Sequence, residues 1–129
     1  VIYLDSSAIV KLARQEAETD ALRAWIAANP RPLTASALAR TETARALLRS
    51  DPAALPVLSA VLSLLHQRSV TDEILDAAAR LPGATLRSLD AIHLATAEDL
   101  APALTSFVTY DERLADAARA RALPVAAPA

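Results

Sequence analysis

Four acidic residues stand far apart in this chain, each where a fold can aim a side chain: Asp5, Glu42, Asp90 and Asp111. Asp5 closes the apolar run Val1-Ile2-Tyr3-Leu4. Asp111 closes Phe107-Val108-Thr109-Tyr110, and Asp90 sits within Arg87-Ser88-Leu89-Asp90-Ala91-Ile92-His93. If folding gathers them, ionised carboxylates raise one another's pKa and call for a counter-charge. The usual counter-charge is a hard divalent cation, and the usual chemistry at such a centre is hydrolysis or phosphoryl transfer. The residue types therefore point to a metal-dependent nuclease.

The elements needed to position these acids can be read from patterning. Val1 to Leu4 is continuously apolar, as expected of a strand buried on both faces of a parallel sheet. Asp5-Ser6-Ser7 supplies capping residues for a helix carrying Ile9, Val10 and Leu12. A second helix is expected from Glu18 to Ala28, stopped by Asn29-Pro30-Arg31-Pro32. Leu33-Thr34-Ala35 is a short strand candidate, and a long helix starts at Ser36. Ser50-Asp51-Pro52 breaks it ahead of another helix, Ala53 to His66. Arg68-Ser69-Val70 is a further strand candidate, followed by a helix from Thr71-Asp72 to Arg80. A helix capped by Ser88 runs to about Asp99, with Leu89, Ile92 and Leu94 toward the core. Phe107-Val108-Thr109 is the second clear strand, Asp111 to Arg121 the last helix, and Leu123-Pro124-Val125 a terminal edge strand. This alternation predicts an α/β fold: one domain over residues 1–129 with a short parallel β-sheet flanked by α-helices. Such sheets place their sites at the carboxyl ends of the strands, where Asp5 and Asp111 fall.

Each acid also has an ordinary explanation. Asp5 and Asp111 are good N-caps, and Asp90 suits a helix N-terminus. Glu42 suits a solvated helix face with Arg45 one turn on. Physics alone supports a divalent-metal site and no more. The net charge of −2 gives no general attraction to nucleic acid, so any RNA or DNA path must be a local basic surface around the acids. Cysteine is absent, which removes disulfides, thiolate metal sites and cysteine nucleophiles and is compatible with a reducing cytosol. Asp5 interrupts the first apolar run before a signal segment could form, and no run approaches the ~20 apolar residues of a membrane helix. A cytoplasmic protein without a membrane partner is expected.

The stretches Val-Ile-Tyr-Leu-Asp-Ser-Ser-Ala at the start, Thr41-Glu42, Leu-Asp-Ala-Ile-His-Leu-Ala-Thr-Ala from residue 89, and Val-Thr-Tyr-Asp-Glu-Arg-Leu from residue 108 together resemble the PIN-domain nucleases. The closest resemblance is to the VapC-type toxins of bacterial toxin–antitoxin pairs, in order and over essentially the whole chain. The resemblance implies an endoribonuclease restrained by a small antitoxin. It also implies a pocket for Mg²⁺ or Mn²⁺. By position, Asp5, Glu42, Asp90 and Asp111 would be its catalytic quartet, with Asp5, Asp90 and Asp111 on the metal. Thr109 would be an auxiliary ligand or support, and Ser6 would orient Asp5 or a metal-bound water.

Around that centre, Lys11 and Arg14 are phosphate-contact candidates, with Arg40, Arg45, Arg87 and Arg113 behind them. Asp116 ranks below Asp111. A lone helix histidine more often has no chemistry, so His93 is left outside the site. His66 reads as complementing a helix C-terminus. Trp25 reads as packing. The Ala53–Leu65 helix has apolar residues on more than one face, which fits a homodimer or antitoxin interface. Two other functions compete with the toxin reading: a PIN-type nuclease of RNA or DNA processing without an antitoxin, and a non-catalytic interaction module whose acids are caps and surface charges.

Overall fold

The computed structural model describes residues 1–129. Its strands are β1 (Ile2–Leu4), β2 (Leu33–Ser36), β3 (His66–Arg68), β4 (Ser106–Val108) and β5 (Val125–Ala126). Its helices are α1 (Ser6–Ala13), α2 (Thr19–Ala28), α3 (Leu38–Ser50), α4 (Leu55–Ser63), α5 (Asp72–Ala79), α6 (Ser88–Asp99) and α7 (Glu112–Ala120), with a 3₁₀ turn at Pro52–Ala54. The strands form one wholly parallel sheet in the order β3-β2-β1-β4-β5. The α/β fold expected from the alternation is the fold observed.

Strand alternation divides the core into two layers. Ile2 and Leu4 point to one face, with Ile9, Leu22, Leu47 and Leu58 of α1 to α4. Tyr3 points to the other, with Phe107, Leu94 of α6 and Leu114 of α7. Tyr3 pairs in register with Phe107, and their rings stack with centroids 5.2 Å apart and planes 4° apart. A smaller cluster joins α5 to α6 through Ile74, Ala78, Ala91 and Ala95. Trp25 packs against the first layer, as expected.

Several local readings shift, among them the start of the third helix, which begins at Leu38 because Ser36 ends β2. The fourth helix ends at Ser63, so His66 lies in β3 as an exposed strand residue and complements no helix end. β3 occupies 66–68 rather than 68–70, because Thr34 to Ser36 pair with His66 to Arg68. Ser88 is the first residue of α6, and Arg87 precedes it as an N-cap without a side-chain bond. Leu89 is 46% exposed, while α6 buries Ala91 and every residue from His93 to Ala97. That near-continuous burial, on a helix lying between the sheet and α5, hides the amphipathic signal. The chain topology reverses at β1, whose neighbours β2 and β4 lie on opposite sides, so a crevice opens beyond the carboxyl ends of β1 and β4.

Candidate active site

Asp5 leaves β1 at that crevice and is almost wholly buried (3% exposed). It caps α1, its Oδ1 accepting from the Ala8 N–H at 3.0 Å and the Ser7 hydroxyl at 2.6 Å. Oδ2 accepts from the Thr109 hydroxyl at 2.5 Å. Thr109 Oγ1 in turn accepts from the Asp111 N–H at 3.1 Å, which links the ends of β1 and β4 through one side chain. Ser7 holds the same junction from the other side, accepting from the Tyr110 N–H at 2.9 Å. Ser7, rather than Ser6, is therefore the hydroxyl that orients Asp5. Burial pushes the Asp5 carboxyl up from its usual pKa, against the lowering bonds from Ser7, Thr109 and Ala8.

Asp111 caps α7, its Oδ1 accepting from the Arg113 and Leu114 N–H groups at 2.9 and 3.2 Å. The ordinary reading of these two acids as caps is thus realised together with their convergence. One oxygen of Asp111 is fixed by the helix end and the other has no protein partner. Asp90 lies in the first turn of α6, where it lines a neighbouring cleft. Its carboxyl is pushed up by burial, then by the negative charges of Asp111 and Glu42, with His93 and Arg87 acting the other way. That mutual repulsion places Asp90, Asp111 and Glu42 in one electrostatic field.

Glu42 is approached from α3, and its bland pairing with Arg45 is not what holds it. Its Oε1 accepts from the Ser6 hydroxyl at 2.7 Å and from His93 Nε2 at 2.7 Å. Burial raises the Glu42 carboxyl, but the His93 bond and charge and the Ser6 bond outweigh it, and its pKa is lowered. His93 is 2% exposed, and its Nδ1 meets the Tyr3 hydroxyl at 2.6 Å. Sequence reasoning left His93 out. The signal available was its position one turn beyond Asp90, on the same side of α6.

The basic candidates are dispersed. Lys11 Nζ pairs with Glu18 at 2.7 Å and Glu16 at 3.7 Å and lies 4.8 Å from the Tyr110 ring centroid, so its charge is already engaged. Arg14 is the C-cap of α1, at the opposite end of that helix from Asp5. Arg87 and Arg113 line a cleft of about 680 Å³ that opens from Asp90 between residues 81–87 and α7. Asp116 shares this cleft and pairs with Arg119 at 3.3 Å.

The donor set suits a hard cation: carboxylate oxygens in a shared negative field, with no thiolate and with the nearby histidine turned to Glu42. No three acidic or histidine side chains are gathered at ligation distance in this arrangement. Asp5 is fixed through both oxygens, so closure around an ion would fall to rotation of Asp90 and the exposed Asp111.

The PIN domain family matches residues 2–120. Ribonuclease VapC35 of Mycobacterium tuberculosis is 47% identical over 133 residues, covering 99% of this chain and 97% of that one. Ribonuclease VapC46 of the same species is 47% identical over 127 residues, covering 98% and 97%. Among solved structures, Mycobacterium tuberculosis VapC20, described as a Sarcin-Ricin loop cleaving toxin, superposes with a TM-score of 0.74 at 19% identity, covering 91% of this chain and 95% of that one. VapBC2 from Rickettsia felis, bound to a DNA fragment from its promoter, gives a TM-score of 0.74 at 15% identity, covering both chains fully. The chain belongs to the PIN-domain family and, within it, to the VapC ribonucleases of toxin–antitoxin systems. No helix is long and apolar enough to cross a membrane.

Proposed function

We propose that the chain is a toxin that hydrolyses RNA phosphodiester bonds at the centre formed by Asp5, Glu42, Asp90 and Asp111, with Mg²⁺ or Mn²⁺ as cofactor. The observation that carries this reading is the hydrogen-bond network that ties Asp5 to Asp111 through Thr109 and ties Glu42 to His93, one turn beyond Asp90 on α6. Caps on unrelated helices have no reason to converge in this way. Asp5, Asp90 and Asp111 would hold the cation, which when bound offsets charge on the phosphate and favours ionisation of the attacking water. Asp5 provides a fixed point of negative charge. Glu42, kept ionised by His93 and Ser6, accepts a proton from water.

The RNA runs through the cleft beyond Asp90, where Arg87 and Arg113 meet its phosphates. Lys11 and Ser6 line a smaller depression of about 350 Å³ on the Glu42 side, which extends the path. An apolar groove of about 440 Å³, formed by Leu12, Ile26, Leu33, Val57, Val61 and Leu64, receives a partner protein: the cognate antitoxin, or a second copy in a homodimer. Leu64 is 73% exposed there, a large apolar side chain with nothing over it.

The test is RNA cleavage by wild type and Asp90→Asn with Mg²⁺, with Mn²⁺ and with chelator. Cleavage that requires the ion and is lost in the variant is expected. Activity indifferent to both overturns the metal mechanism, and cleavage of DNA in preference to RNA overturns the substrate.

A further inference from the structure

A buried row of hydrogen-bonding groups, Tyr3, His93 and Glu42, lies behind the carboxylate centre. We propose that His93 is a positioning residue that acts through Glu42, clamping Oε1 so that Oε2 is presented to the reacting water. The proposal rests on the ribonuclease reading of the centre.

The geometry orders the row. A carboxylate only accepts, so at 2.7 Å the hydrogen lies on His93 Nε2 and points at Glu42 Oε1. The opposite ring nitrogen, Nδ1, then faces the Tyr3 hydroxyl at 2.6 Å. That hydroxyl fixes which nitrogen carries the proton and the plane in which the ring lies. Tyr3 cannot turn away: it is fully buried in β1, stacked on Phe107, with the imidazole edge-on at 5.9 Å.

A buried histidine that merely needed partners would be satisfied by Tyr3 and a backbone carbonyl. Here its other partner is one of the four acids, and that same Glu42 oxygen also accepts from Ser6. Two donors on Oε1 leave Oε2 as the oxygen without a protein partner. Glutamate has three side-chain torsions, and their freedom is lost on folding rather than on substrate binding. Partners one step removed from a metal or reacting group act in this way.

The experiment measures steady-state kcat and KM for a single-stranded RNA with Mg²⁺, in wild type, H93L, H93Q, Y3F, E42Q and the double variant H93L/E42Q. H93L is expected to lower kcat about 10–100-fold with little change in KM. H93Q retains an N–H within reach of Oε1 and should recover most of that loss, while Y3F should fall between them. In the E42Q background, H93L should cost nothing further, because the residue acts only through the group already removed. Equal kcat in H93L and wild type overturns the proposal, as does a loss undiminished by E42Q, which would mark a structural role. Either result, obtained with a wild type that cleaves RNA, leaves the ribonuclease reading standing. A wild type that cleaves no RNA overturns that reading and the proposal with it.

Discussion

Thr109 donates its hydroxyl hydrogen to Asp5 Oδ2 across 104 residues of sequence, so the end of β4 supplies a hydrogen bond to the acid at the end of β1. Thr109 Oγ1 in turn accepts from the Asp111 N–H, so one small side chain sets the relative position of two acids. Both neighbouring strands place it there: Leu4 and Val108 are register partners, and each acid follows within three residues.

Removing that hydroxyl gives the first prediction. Thr109→Val keeps the shape but strips a charged, buried oxygen of a donor, which costs about 1.5–3 kcal/mol. The variant should melt several degrees lower and lose most of its cleavage, while Thr109→Ser should retain both. Thermal melting beside an RNA cleavage assay decides it. A valine variant as stable as wild type would show that Asp5 does not depend on Thr109.

Asp5 itself should display a trade between stability and activity. Its folded pKa is raised by burial, so its negative charge is less favoured in the folded protein than in the unfolded chain. The sign follows by linkage: stability is greatest below the ordinary carboxylate range and is lost as pH rises through the folded pKa. Asp5→Asn removes the buried charge, and an amide can still accept from Ala8 and Ser7 and donate to Thr109. The variant should therefore be inactive yet more stable than wild type at pH 7, with the difference vanishing toward pH 4. Melting curves across that range measure it, and a variant less stable at pH 7 would contradict the argument.

Asp90 and Asp111 repel one another, so an ion that binds between them should stabilise the fold. Adding Mg²⁺ or Mn²⁺ at 100 times its Kd should add about 2.7 kcal/mol and raise the melting temperature accordingly. Asp90→Asn should abolish most of that rise. An equal rise in the variant would place the ion elsewhere.

Replacing Leu64 by Glu puts a charge in the apolar groove without touching the carboxylates. RNA cleavage should be unchanged, whereas association with the partner protein should weaken by tenfold or more, about 1.4 kcal/mol or greater. Light scattering with and without the partner, alongside an inhibition assay, reads both outcomes. Unchanged association would move the interface off this groove.

Much of the frame was legible because continuous apolar runs mark buried parallel strands, and the residues closing Val1-Ile2-Tyr3-Leu4 and Phe107-Val108-Thr109 must then lie at one edge. Glu42 was harder: nothing in helix periodicity says that α3 leans over that edge, and the family resemblance drew it in. His93 escaped because α6 is buried on nearly all sides, so no amphipathic pattern sets it apart from its apolar neighbours. Ser6 and Ser7 are adjacent and identical in type, and only backbone geometry decides that Ser7 serves Asp5 and Ser6 serves Glu42. The shift of β3 onto His66 to Arg68 has a similar origin, since a polar, exposed edge strand is defined by its hydrogen bonds to β2 rather than by its own composition.

The long reach between Asp5 and Thr109 also bears on when the protein becomes active. A nascent chain emerging from the ribosome carries Asp5 early, but without β4 that acid has neither its second donor nor Asp111 beside it. The pairing of Asp5 with Thr109 therefore arises only after the segment around residues 106–111 has been made and has inserted beside β1. For a ribonuclease, this order of assembly ties the gathering of the acids to the completion of the sheet.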